Sequence, residues 1–349
     1  MPTISADQVY NIAGGLLQGA GAGPEEAGIV ARHCLAANLA GHDSHGIIQI
    51  PSYINRIKQG HIVPGAPFEI TQESPTTAVI DGHWGFGYVV SERAMQMTID
   101  KARQNNVAAA TVYHQSHVGR LTDYPLMAAE AGLIGLMTAD SGRGPKSVAP
   151  FGGRTSRLGT NPLCIAIPSN LEAPLYIDFA TSAVAAGKIN IAVQRGQSIP
   201  AGWVIDKEGR ATTDPQALRQ GGTLLSLGGS EGHKGYGLSV IVEILSALLP
   251  GLGFGVESSG RHNDGCFMAA FNVAAFRPLE TFKQEVAEFA RYLTESPPAE
   301  GVDRVYYPGE LEHLRAQQRR ADGIEIEAAT WDRLVELAEE FGLREQLGM

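Results

Sequence analysis

With 349 residues the chain can bury one large core or two to three smaller ones, and its 44% hydrophobic and 18% charged residues exclude a disordered polymer. A formal net charge of -10 excludes nucleic acid or an anionic membrane as the main partner, because phosphate binding needs concentrated Lys and Arg. Its 42 glycines and 19 prolines favour a loop-rich α/β chain.

Ser5 with Gln8 predicts a capping box opening a first helix, and Pro24-Glu25-Glu26 supplies the proline and acidic residues of a second helix's first turn. The second helix runs through Val30, Cys34 and Leu35 to Gly41 and delivers the segment GHDSHG at its carboxyl end. After a Pro- and Gly-containing linker, TTAVIDG reads as a strand, and Ser91 as the cap of a helix through Ala94, Met97, Ile99 and Ala102. VAAATVY (107–113) and LIGLMTA (133–139) read as buried strands flanking a helix over Pro125 to Ala131. Residues 162–168 and 174–180 predict shorter strands, and GWVIDKEGRATTDP a hairpin. GHKGYG (232–237) leads into an apolar helix from Leu238 to Leu249, then a strand over 265–276, an amphipathic helix from Thr281 to Leu293 and a last one from Trp331 to Phe341. The basic run Arg315 to Arg320, followed closely by Asp322, Glu325 and Glu327, reads as a solvated helix face.

Cys34, Cys164 and Cys266 are widely spaced, lack a zinc pattern and suit a reducing, cytoplasmic setting. The amino terminus does not read as a signal peptide, and no apolar run reaches the length of a membrane span.

Neither a Gly-x-Gly-x-x-Gly fingerprint nor a P-loop is present, so any dinucleotide must bind without a standard Rossmann turn. The strongest local feature is His42-Asp43-Ser44-His45-Gly46. A ketone that accepts hydride becomes an alkoxide needing a proton, and a histidine near neutrality is an efficient donor. The same residues also suit a helix cap and turn. His114, Ser116, His117 and Arg120 follow a strand, where open sheets collect ligands, although a lone histidine there is often structural. His233-Lys234 precedes a helix and offers cationic side chains beside a dipole end; Asp178 with Thr181 and Ser182 can bond ribose hydroxyls or cap a helix. His42 with His45 and His114 with His117 are each three residues apart, yet no HExxH pattern or third ligand accompanies them, so no metal site is expected.

Together GHDSHG, SHVGR, GTNP, IDFATSA and GHKGYGL, in this order across about residues 5 to 320, resemble the malate/L-lactate dehydrogenase family of the type 2, non-Rossmann kind. The resemblance implies an α/β, L-sulfolactate dehydrogenase-like fold, a mixed sheet with flanking helices and a non-Rossmann cofactor domain. It divides the chain into a helical terminal domain (1–75 and 296–349), a central sheet and dimerisation region (76–118 and 266–295) and an inserted NAD(P)-binding domain (119–265). It implies hydride transfer between NAD or NADP and a small 2-oxo or 2-hydroxy acid in a homodimer. His45 would then be the proton donor, with Ser44 its relay partner. Substrate contacts fall on Gln49, Thr160 and His117. Cofactor contacts fall on His117, Val118, Gly119, Arg120 and Leu121, on Asp178, Phe179 and Ala180, on His233 and Lys234, and on Gly309 and Glu310.

The sequence departs from the family pattern at two places. Many members carry arginine where this chain has Gln49, and a neutral amide cannot form the charged bidentate pair with a carboxylate. Either Arg56, Arg120 or Lys234 takes that role, or the substrate differs. Imine-reducing members place an aspartate in the loop after ATS, where this chain reads AAGKIN with Lys188, which weighs against the alternative of a cyclic imino-acid (Δ1-piperideine-2-carboxylate type) reductase. A silent nucleotide-binding scaffold is the rival outside enzymology, opposed by the intact Ser44-His45 pair.

Overall fold

A computed structural model describes residues 1–140, 142–257 and 259–349. The chain opens on a two-residue strand, β1 (Thr3–Ile4), and α1 (Ala6–Gly19). Ser5 caps α1 as expected, its hydroxyl accepting the Gln8 N–H at 3.1 Å while the Gln8 carboxamide accepts the Ser5 N–H at 3.0 Å. Pro24 sits in the first turn of α2 (Pro24–Leu39), and α3 (Ile50–Lys58) follows the GHDSHG bend. These helices bury Leu16, Leu17, Val30, Ile50 and Tyr53 against Leu334 and Leu337 from the carboxyl end, so the two termini share one core.

The linker expected before TTAVIDG contains a further strand, β2 (Glu69–Glu73), which pairs antiparallel with β3 (Thr77–Gly85). Its residues are all exposed and carry no buried alternation, so periodicity could not reveal it. A crossover through α4 (Gly87–Asn105) leads to β4 (Val107–Gln115), parallel to β3. Ser91 does not cap α4. It lies buried inside the helix with its hydroxyl on Gln115 at 3.0 Å, and the backbone turns helical earlier, after Phe86.

The chain continues through α5 (Asp123–Glu130), β5 (Leu133–Ala139), β6 (Pro162–Ile167) and β7 (Leu175–Ala180) to α6 (Ala186–Arg195). A small sheet follows from β8 (Val204–Ile205), β9 (Ala211–Thr212) and β10 (Thr223–Leu224), the first two forming the expected hairpin. Next comes α7 (Gly232–Glu243), which begins six residues earlier than the apolar pattern suggests and runs on as a wider π turn over 244–248. The strand expected over 265–276 is shorter, β11 (Cys266–Asn272), because the chain then turns through a short 3-10 segment. α8 (Leu279–Thr294), α9 (Glu310–Asp322), β12 (Ile324–Glu325, paired with β1) and α10 (Ala328–Glu340) complete the chain.

Among the described residues the main sheet has seven strands in the order β2-β3-β4-β11-β5-β6-β7. β4 and β5 are not neighbours, as a simple β-α-β reading would have them. β11, arriving from far along the sequence, separates them and runs antiparallel to both. Its inward Met268 and Ala270 join Ile80, Ala110, Val112 and Met137 in a second core beneath α4 and α5. A third cluster, around Val148, Ile189, Val204 and Leu224, holds α6 to the small sheet. All three cysteines are free and buried, and burial pushes the Cys34 thiol up to about 12. Among the described residues no helix is long and apolar enough to cross a membrane.

The start of α4 touches the exit of β4 so closely that a methyl at Gly87 would lie 2.2 Å from the Ser116 carbonyl oxygen and 2.5 Å from that of His117. Both are backbone atoms, so relief requires the β4 exit to move. Gly87→Ala is therefore expected to cost about 1–3 kcal/mol, seen as a lower urea midpoint; an unaltered midpoint would mean that the two segments are not in close contact.

Candidate active site

The carboxyl end of α2 turns at Gly41, whose φ of +84° is a left-handed conformation that favours glycine. Two groups then fix the bend. Asn38 donates to Asp43 Oδ1 at 2.8 Å and accepts the Ile47 N–H at 2.8 Å, and a Cβ at Gly46 would collide with its carboxamide at 2.3 Å. From α9, Arg319 reaches both Asp43 oxygens, at 2.6 and 3.0 Å, and the Asn38 carbonyl. The basic run of α9 is thus not wholly solvated, as the sequence had suggested, because Arg319 crosses to the bend. Within it, Ser44 Oγ lies 3.0 Å from His45 Nδ1, and Gln49 donates its amide to the Ser44 carbonyl at 2.7 Å.

His45 stacks on His117, ring centroids 5.7 Å apart and planes 18° from parallel. His117 Nδ1 lies 2.7 Å from Tyr53 Oη, which is 3.1 Å from Tyr88 Oη. On another edge His117 meets His262 at 5.8 Å, and His262 Nε2 lies 2.6 Å from Asp264 Oδ1. Burial, assisted by the charge of Arg120, holds His45 below the usual imidazole range against the pull of Asp264. Burial pushes His117 down to about 3. Burial opposes ionisation of Asp264, yet His262, His117 and the Val118 N–H outweigh it and keep this carboxyl below its ordinary range.

The segment 117–121 leaves β4 beside this cluster. Val118 and Leu121 point into the sheet core, the Val118 N–H donates to Asp264 at 3.0 Å and its carbonyl accepts the Tyr124 hydroxyl at 2.7 Å, and Gly119 packs on Tyr88, with a Cβ there only 2.3 Å from the ring. Arg120 is bound to Asp123 at 2.6 and 3.2 Å. Asp178 accepts the Thr122 N–H at 2.9 Å and its hydroxyl at 2.7 Å, which ties the 178–180 segment to 117–121. His42 belongs to the same neighbourhood; burial and then Arg120 lower it, while Asp178 and Glu312 oppose them. Thr160 accepts from Thr181 and so adjoins the 178–180 strand end. Gly309, with φ +96°, seats the amino end of α9 against Pro174 and Tyr176, and Glu310 pairs with Arg304.

His233 and Lys234 lie elsewhere, in the first turn of α7, with His233 against Phe151 and Lys234 against Glu231 at 3.1 Å. His114 also stays apart from the His45 cluster, stacked on Trp84 and bound to Asp81 at 3.1 Å. Sequence reading missed Tyr53, Tyr88, His262 and Asp264. Tyr53 was visible as the polar-tipped residue of IPSY, but His262 and Asp264 enter only because β11 is inserted next to β4, which no local pattern announces.

A profile described as malate/L-lactate dehydrogenase matches residues 4–335. The chain belongs to that family. It is 36% identical to the malate dehydrogenase of Pyrococcus abyssi over 98% of this chain and 95% of that protein. It is 34% identical to hydroxycarboxylate dehydrogenase B of Escherichia coli O157:H7, covering 93% and 91%. The solved sulfolactate dehydrogenase of Methanocaldococcus jannaschii superposes with a TM-score of 0.90 at 35% identity, covering 98% of both chains. The fold expected from the motifs is therefore the fold observed, and the chain is an oxidoreductase of the malate/L-lactate dehydrogenase family.

In this family member the neutral state of His117 is also a stability device. Its pKa falls from an ordinary 6.5 in the unfolded chain to about 3 in the fold. The stabilisation is thus complete above pH 6.5 and drains away as pH drops toward 3, by at most about 1.4 kcal/mol per pH unit. His117→Asn should lose less stability than the parent between pH 7 and pH 4 in matched urea titrations. Parallel losses would show that His117 titrates normally in the fold.

Proposed function

We propose that this chain interconverts small 2-oxo and 2-hydroxy acids with NAD or NADP, with His45 exchanging the proton. The observation that carries the reading is the stacked His45–His117 pair on a bend immobilised from both ends of the chain. Ser44 engages Nδ1 of His45, which directs Nε2 toward a substrate oxygen. A neutral His45 is the form that accepts a hydroxyl proton during oxidation; in reduction it must first gain the proton it delivers. His117 is too weak a base to carry a proton at neutral pH. With Tyr53 donating to Nδ1, its Nε2–H is a fixed donor for the reacting oxygen.

A nicotinamide dinucleotide suits the residues present. α7 opens without a side-chain cap, and His233 and Lys234 stand largely exposed in its first turn. Free N–H groups, a positive dipole end and basic side chains suit a pyrophosphate. His117 to Leu121, Asp178 to Ala180, Gly309 and Glu310 would line the remainder, with Gln49 and Thr160 on the substrate side. When bound, the reduced nicotinamide supplies the hydride. The buried free thiols suit a reducing, cytoplasmic setting, and the exposed apolar row Leu238, Ile241, Ile244 and Leu248 suits burial in a homodimer.

His45→Ala should lower turnover roughly 10²- to 10⁴-fold while nicotinamide binding, followed by fluorescence, persists. Unreduced turnover by the folded variant would remove His45 from the reaction. The parent should be assayed with a panel of 2-oxo acids, and a cyclic ketimine beside them, with each reduced nicotinamide. Because the pKa of His45 is depressed, kcat/KM for oxidation should level off above that pKa, and kcat/KM for reduction should decline as pH rises through it. A reduction profile that climbs with pH would assign the proton to another group.

A further inference from the structure

The cations around the His45–His117 pair differ in how they are occupied. Arg120 is spent on Asp123. Arg261 donates to the carbonyls of His61 and Gly60 and lies over the Trp84 ring at 3.9 Å. Arg143 is held by the Leu252 carbonyl and Glu257, and Lys146 by Glu243 at 3.3 Å. Lys234 is exposed, beside Glu231, and Lys188 is exposed on α6. Strongly hydrated surface ammonium groups must shed water to bind an anion.

Arg143 also keeps a buried nitrogen, Nε, without a partner, but it is paired with Glu257; Arg56 combines a buried, unpartnered nitrogen with the absence of any carboxylate partner among the described residues. It sits on α3 one helical turn after Tyr53, the residue whose hydroxyl is 2.7 Å from His117. Its charge bears on both Tyr53 and His117. Its Nη1 is buried and has no hydrogen-bond partner among the described residues, and no carboxylate pairs with the guanidinium. A desolvated, unpaired guanidinium nitrogen is costly to keep and is relieved by an incoming anion. A 2-oxo acid carries its carboxylate on the carbon next to the one that reacts, so a substrate whose carbonyl meets His45 and His117 has its carboxylate beside this pair. Gln49 cannot supply the charge, and its amide is committed to the Ser44 carbonyl.

We propose that Arg56 binds the substrate's C1 carboxylate and so restricts this site to acids rather than to the matching esters. The inference rests on the function proposed above, and it assigns to α3 the role for which position 49 lacks the charge.

The test uses the full-length enzyme with its nicotinamide, and pyruvate, oxaloacetate and their methyl esters as probes. Arg56→Gln should raise KM for the acids roughly 10- to 150-fold, leave KM for the nicotinamide within about twofold, and abolish the parent's preference for acid over ester. Arg56→Lys should fall between the two, because the charge remains and the fork is lost. Restoring an arginine in the double variant Gln49→Arg/Arg56→Gln should recover part of the acid preference, which a merely structural role for Arg56 would not allow. An active parent whose acid preference and KM survive Arg56→Gln overturns the assignment of Arg56 alone. A parent that binds nicotinamide and turns over none of the acids overturns the functional reading and this inference together.

Discussion

Asn38 is the hinge pin of the molecule's chemistry. One carboxamide at the end of α2 satisfies Asp43 on one side of the bend and the Ile47 N–H on the other, and Gly46 is small because a side chain there would occupy the same space. A buried amide that uses both its ends in this way leaves the loop no second arrangement that keeps the bonds. Arg319 adds a clamp from α9, about 280 residues later. The position of His45 therefore depends on the helical core that joins the two ends of the chain, and the site is complete only once both ends have folded.

The electrostatics follow from that placement. His33 is nearly fully buried between Asp123 at 3.2 Å and Glu92 at 2.8 Å; burial opposes its charge, yet the two carboxylates outweigh it and raise its pKa. Asp123 thus serves two cations, His33 and Arg120, and Arg120 in turn leans on His45 and His42. A network that joins α2, α4 and α5 also sets how much positive field reaches the His45 imidazole.

Much of this was legible in the sequence, and for identifiable reasons. The capping box at Ser5, the buried strand at 133–139 and the glycine-bracketed bend at 41–46 are local signals, and each appears where its chemistry requires. Order along the sheet was not legible, because β11 inserts between β4 and β5 through pairings more than a hundred residues apart, with small residues such as Ala109 and Ala269 facing each other. The same insertion hid His262 and Asp264. Ser91 misled because a serine before an apolar run is a cap signal only when the backbone there is extended; here it is already helical, and the hydroxyl instead satisfies a buried Gln115.

Asp264 has a buried companion in Asp140, and the two explain each other. Asp140 accepts N–H groups from Gly142 and Gly265, but burial and the neighbouring charge of Asp264 raise its pKa well above the usual carboxylate range. Two carboxylates in one dry site cannot both ionise cheaply, so the proton goes to the acid without a cation and the charge to the one beside His262. That division leaves a single negative charge facing His117 and His45. At His45 it opposes burial and Arg120, which together still hold the imidazole below its usual range. A second ionised carboxyl would raise the pKa of both histidines and favour their charged forms, so the neutral form of Asp140 helps to keep both imidazoles uncharged.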